Sequence, residues 1–181
     1  MIPALPDERK KRYVQRFGIT PYAAEQLTAS RAMADLFEAA AADTDYPGTV
    51  AGLLLTEAPR LLPAGEEDIP IAPGRLARLA QMMGEGEVSS GAGKTLFGAL
   101  WTQDEDPHEL AERLHLLQIS DEGTLRQAAE RVVAENGKIV ADLRSGKKAA
   151  MQALIGRCMK ETSGRGNPAV LQKLLSEILG L

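Results

Sequence analysis

Residues 153–179 read ALIGRCMKETSGRGNPAVLQKLLSEIL. Apolar residues recur there with helical period on both sides of a basic, glycine-rich turn. Counting from Met151, the residues Leu154, Ile155, Cys158 and Met159 complete an i, i+3, i+4, i+7, i+8 stripe. Leu171, Leu174, Leu175, Ile178 and Leu179 form a second stripe, behind Asn167 as a helix cap and Pro168 as the first helical residue. Two amphipathic helices joined at a tip make a helical hairpin. The tip, KETSGRGN, carries more charge and glycine than a reversal of the chain requires.

The same grammar extends outward. Upstream, Leu125, Ala128, Ala129, Val132 and Val133 form another stripe, with Ser120 read as its cap and Asn136-Gly137 as its end. A short helix, KIVADLRSG, closes on Gly146. Toward the N-terminus, LPDERKKRYVQRFGIT predicts a helix with Asp7 near its start, stopped by Gly18. Thr20-Pro21 and Ser30 open the next two helices, and Pro59 should kink or end TVAGLLLTEAPRLL. RLARLAQMMGEG should close on Gly84, SSGAGKTLFGALW is capped by Ser89 or Ser90, and HELAERLHLL follows a turn holding Asp106 and Pro107. The loop at 63–74 and a junction near 117 are candidate hinges. The expected fold is all-α, in two small helical domains covering 1–117 and 118–181, the second a three- to four-helix bundle.

Composition agrees. Hydrophobic residues are 44%, charged residues 25% and aromatics only 4%, the balance of helices packed on helices. No apolar run approaches the roughly 20 residues needed to cross a bilayer, and the N-terminus lacks the apolar core of a signal peptide. The single cysteine, Cys158, rules out an internal disulfide and sits in an apolar stripe. A cytoplasmic protein is expected.

Charge is unevenly spread. Residues 1–115 carry 11 Lys/Arg against 18 Asp/Glu, while residues 116–181 carry 10 against 7. Within 138–173 eight cations face only Asp142 and Glu161. A locally basic end on an acidic chain points to a polyanion. The other reading is a solvated helical surface with clustered charge.

Candidate chemistry is sparse. SSGAGKT, residues 89–95, ends like a P-loop, but the position that needs the first glycine is Val88 and no strand precedes it. His108 and His115 stand seven apart on one predicted helix, without a third ligand at metal-binding spacing. No nucleophile–base or paired-carboxylate pattern appears, so no catalytic and no metal-ligating residue is assigned. What remains is the tip. Lys147 and Lys148 start its first helix and Lys160 lies near its end. The backbone N–H groups of residues 163–167, beside a helix N-terminus and Arg165, would suit a phosphate. On these residues alone, a phosphate-contacting tip and a merely solvated turn stand level.

These residues also carry a resemblance. GKKAAMQALIGRCMKETSGRGNP and its lead-in QISDEGTLRQAAERVVAENGKIVADLRSGK resemble the YqeY-like tail of the B subunits (GatB) of aspartyl/glutamyl-tRNA(Asn/Gln) amidotransferases. LPDERKKRYVQRFGITPYAAEQLTASRAMADLFEAA and GEVSSGAGKTLFGALW resemble the helical domain that precedes that tail. The resemblance implies a C-terminal portion of such a subunit, made of a helical domain and a tail that hold tRNA(Gln) or tRNA(Asn) rather than DNA. ATP and magnesium would belong to an N-terminal cradle domain that this sequence does not resemble, so no cofactor is expected here. The A and C subunits would be partners through the full-length protein, and no membrane is implied. Carried onto this chain, the expected tRNA contacts are Lys147, Lys148, Lys160, Arg165 and Asn167, with Gly146, Gly156 and Gly164 shaping the backbone. Gly137 departs from the family's pattern, which often has proline after that asparagine. The alternative function is a protein-interaction module that docks the other subunits and touches no RNA.

Overall fold

The computed structural model describes residues 6–181, and its regular elements are twelve helices. The all-α expectation holds. The chain forms two compact units, one ending at Leu116 and the other starting at Leu117.

The first unit contains α1 (Pro6–Phe17), α2 (Pro21–Thr28), α3 (Arg31–Ala41), α4 (Pro47–Thr56), α5 (Ala58–Leu61), α6 (Pro73–Gly84), α7 (Ser90–Leu100) and α8 (Pro107–Arg113). Local chemistry sets their ends. The Thr20, Ser30 and Ser89 hydroxyls accept from Ala23, Met33 and Ala92 N–H, and the Asp106 carboxylate accepts from His108 and Glu109. Gly18 leaves α1 at φ +65°, a left-handed turn that costs glycine nothing. Tyr13 joins α1 to α3: its ring packs 4.8 Å from that of Phe37, and its hydroxyl lies 3.1 Å from the Ala34 carbonyl and 2.9 Å from Glu38. Arg9 on Asp35 and Arg12 on Glu38 reinforce that seam. The loop before α6 spans 63–72, because Pro73 and Gly74 already belong to the helix.

Gly84 closes α6 as its last residue, as expected, and Gly86 at φ +76° makes the turn that follows. Gly84 is small because the Tyr46 ring lies against its Cα, where a Cβ would overlap it. His115 is not on the helix of His108, since α8 ends at Arg113 and His115 sits outside it at φ +55°.

The second unit holds α9 (Glu122–Glu135), α10 (Gly137–Arg144), α11 (Ala149–Glu161) and α12 (Pro168–Leu179). The stripes read from sequence meet in one core of Leu125, Val132, Leu154, Cys158, Leu171, Leu174 and Leu175. Burial pushes the Cys158 thiol up to about 11, so it behaves as a small apolar side chain. Asp121, not Ser120, caps α9, with its carboxylate 2.8 Å from Thr124 N. Gly137 is the first residue of α10, the position where proline fits equally well. That departure from the family's pattern therefore costs no geometry.

Candidate nucleic-acid interface

The second unit separates its cations into two sets. Arg126 pairs with Glu177, Arg131 with Glu161, Lys147 with Asp142 and Lys173 with Glu122. Lys138, Arg144, Lys148, Arg157, Lys160 and Arg165 have no carboxylate within ion-pair reach among the described residues. In the first unit most cations are spent on acidic neighbours, as Arg75 is on Asp104 and Asp106 and Lys94 is on Glu57. Uncompensated positive charge is thus concentrated in the second unit.

The α11 helix displays much of it. Leu154, Ile155 and Cys158 face the core. Ala149, Gln152, Ala153, Gly156, Arg157 and Lys160 are exposed, and the helix's one carboxylate, Glu161 at its C-terminal end, is exposed too but held by Arg131. Gly156 has open space where a Cβ would stand and an ordinary helical backbone, so it is not a backbone-shaping position. Gly146 at φ +92° and Gly164 at φ +76° are.

The tip is held differently from the sequence reading. Ser163, Gly164 and Arg165 donate their N–H groups to the Lys160, Met159 and Thr162 carbonyls. Gly166 N–H goes to the Thr162 hydroxyl at 3.0 Å, and Asn167 N–H to the Ile119 carbonyl at 3.1 Å. The Asn167 side chain accepts from Ala169 and Val170. Every N–H from 163 to 167 is therefore used within the protein, and the expected bare-backbone phosphate cradle does not exist. The segment leading into the unit adds a further tie: Ile119 N–H donates to the Arg165 carbonyl at 2.6 Å, and an isolated parallel bridge joins Ile119 to Gly166. Gly166 is required at this crossing, because a Cβ would fall 2.7 Å from the Thr162 hydroxyl and 2.9 Å from Leu171. What the tip offers a ligand is side chains.

Of the five residues expected at the interface, Lys160 and Arg165 lie together at the tip end of α11. Lys148 lies at the other end, about 18 Å away along the helix axis. Lys147 is engaged 2.8 Å from Asp142, and Asn167 is a helix cap. The structure adds Arg144 and Arg157, which the sequence reading counted as basic but did not assign. A signal for them existed: residues 143–160 contain five cations and no carboxylate.

The other motifs resolve into structure. In SSGAGKT, Ser89 caps α7, Gly93 packs against Met83, and Lys94 reaches the buried Glu57 at 3.2 Å. Burial pushes the Glu57 carboxyl up, but hydrogen bonds from Lys94 and Thr56, with the Lys94 and Arg60 charges, hold it below its ordinary value. Lys94 is a tie between α7 and the α4–α5 junction. His108 lies 3.8 Å from Glu87, and among the described residues no three His, Cys, Asp or Glu side chains are gathered to hold a metal.

Residues 35–179 match the family described as GatB domain. The chain is similar to the B subunit of the aspartyl/glutamyl-tRNA(Asn/Gln) amidotransferase of Carboxydothermus hydrogenoformans, 38% identical over 98% of this chain and 38% of the relative. It is 37% identical to the same-named protein of Geobacillus kaustophilus and 36% identical to that of Caldanaerobacter subterraneus subsp. tengcongensis, over 99% and 98% of the chain. It spans 38% of the length of each of these relatives.

Proposed function

Because the chain belongs to the GatB domain family, we propose that it is the tRNA-holding arm of a cytoplasmic tRNA-dependent amidotransferase, a glutamine-hydrolysing carbon–nitrogen ligase. The observation that carries this reading is the set of unpaired cations on the second unit, with the one carboxylate of α11, Glu161, already engaged by Arg131. Lys148, Arg157, Lys160 and Arg165 contact phosphates, and Arg144 and Lys147 extend the field. The first unit serves as the helical domain and the second as the YqeY-like tail. Phosphate contacts fix register and orientation without reading bases. The contribution to catalysis is positioning: a misacylated Glu-tRNA(Gln) or Asp-tRNA(Asn), once immobilised, reaches active sites carried elsewhere at high effective concentration. The arm supplies no nucleophile, base or metal ligand of its own, and ATP and magnesium act in the cradle domain.

The test is a titration against unmodified tRNA(Gln) at low and raised salt. Binding should weaken linearly in log–log form with salt. Lys160→Ala/Arg165→Ala should weaken it further and lower the slope by about one for each phosphate no longer neutralised. Salt-independent binding, or none, would sink the reading.

A second reading, docking of the A or C subunits, draws on the first unit. A groove of about 570 Å³ between α2 and α4 is lined by Ile19, Ala51, Leu55 and the open faces of Gly48 and Gly52, with Tyr22 71% exposed at its rim. Association through this groove should be insensitive to salt and to loss of Lys160 and Arg165.

A further inference from the structure

Beside the tip lies a second feature, a cleft of about 210 Å³ wholly within the second unit. Its floor is Ile119, and its walls are Gln127, Arg131, Glu161, Ser163 and Arg165. We propose that this cleft receives a single nucleobase turned out of an RNA loop; the proposal rests on the tRNA reading above and gives it a base-contacting element.

Size argues first. Pockets that enclose whole small molecules run to roughly 300–1,000 Å³. At about 210 Å³ this cleft takes one group presented by a larger partner rather than a free ligand.

The lining argues second. Gln127 offers both an amide donor and an amide acceptor, Ser163 a hydroxyl, Arg165 a guanidinium and Glu161 carboxylate oxygens. Gln127, Ser163 and the Arg165 side chain make no hydrogen bond among the described residues, whereas Arg131 is held 3.1 Å from Glu161. The cleft therefore presents donors and acceptors side by side, matching the mixed edge of a base. A phosphate, which only accepts, would leave the acceptors idle and sit beside the Glu161 charge. With Arg131 offset by Glu161, one uncompensated cation remains, Arg165, whose guanidinium plane is a stacking surface for a base while its edge N–H groups stay available to the neighbouring backbone phosphate. That role would otherwise fall to an aromatic ring, and residues 117–181 contain no Phe, Tyr, Trp or His.

The backbone argues third. Ser163 holds φ +53°, a left-handed conformation that glycine adopts at less cost. Its neighbour Gly164, at φ +76°, is a glycine. Keeping a serine at 163 preserves a hydroxyl on the cleft wall despite the strain. The Ile119 hydrogen bonds to Arg165 and Asn167 and the Thr162 bond to Gly166 fix that wall before any ligand arrives.

The experiment uses the full chain and an unmodified tRNA(Gln) transcript, titrated at several salt concentrations, with Gln127→Ala, Ser163→Gly and Lys160→Ala. Both cleft variants should weaken binding about 5- to 10-fold while leaving the salt slope unchanged, since neither side chain is charged; Lys160→Ala should lower the slope. Ser163→Gly should also melt at a higher temperature than the parent, separating loss of the hydroxyl from loss of the fold. Cleft variants within twofold of the parent would overturn the base pocket and leave the tRNA reading standing. An equal loss of affinity by the cleft variants for base-free inorganic polyphosphate would assign the cleft to a phosphate and also overturn it. No binding by the parent would overturn both.

Discussion

Thr162→Val isolates one atom of the tip. Thr162 is 7% exposed; its hydroxyl donates to the Cys158 carbonyl at 3.0 Å and accepts the Gly166 N–H at 3.0 Å. Valine has nearly the same shape, so the variant removes the acceptor and keeps the volume. The Cys158 carbonyl loses little, because it still accepts the Thr162 backbone N–H at 3.0 Å. The buried Gly166 N–H is left without a partner, at a cost of about 1–3 kcal/mol. For a unit the size of residues 117–181, each kcal/mol corresponds to about 4–8 °C in melting temperature. Thr162→Ser keeps the hydroxyl and deletes a methyl, for about 0.8 kcal/mol. The stability order should be parent, then serine, then valine. Far-UV circular dichroism under urea reads it, because the single tryptophan, Trp101, lies in the other unit. Amide exchange at Gly166 should quicken in the valine variant alone. A valine variant as stable as the parent, or a serine variant less stable than it, would refute the accounting.

The remaining expectations are shorter. Gly156→Ala, on an exposed helical face with open space at its Cβ, should stabilise the second unit by about 0.5–1 kcal/mol, whereas Gly166→Ala should cost about 1–3 kcal/mol through overlap with Thr162 and Leu171; thermal melts of the pair check the contrast. The Asp121 carboxyl is held below its ordinary value of 3.8 by hydrogen bonds from the Thr124 hydroxyl and then its N–H. Its contribution is present above that value and lost as pH falls through the lower folded one, so Asp121→Asn should keep the cap and flatten the acid limb, while Asp121→Ala loses the cap at every pH. Lys94→Met should leave Glu57 to its burial, raising its carboxyl; the gain of stability with rising pH near 4.5 should then flatten or reverse, read by Trp101 fluorescence.

Helices and their caps were legible in sequence wherever the determining contacts lie within one turn. Thr20, Ser30, Asp106 and Asn167 bond N–H groups two or three residues ahead, and apolar stripes at 3–4-residue spacing turned inward as read. The acid-free run at 143–160, and with it the basic face of α11, was legible too. The local signal failed where neighbours compete, since Ser120 and Asp121 both suit a cap and the carboxylate took it, and at His115, which the helical pattern carried past the end of α8.

What the tertiary structure alone decided is how the tip is tied to the rest of its unit. Four of the N–H groups of 163–167 bond to residues 159–162 within the same turn, whereas the partner of Asn167, Ile119, stands 48 residues before it and is set by three-dimensional approach. The same holds for Gly84 against Tyr46 and Lys94 against Glu57, contacts between segments that no local pattern pairs. A hydrogen bond or a bare Cα is a requirement of position, and position between distant segments is fixed only when the core closes around them. Sequence therefore settled which surfaces are charged and which are buried. Packing settled which of the polar groups remain free to meet a partner.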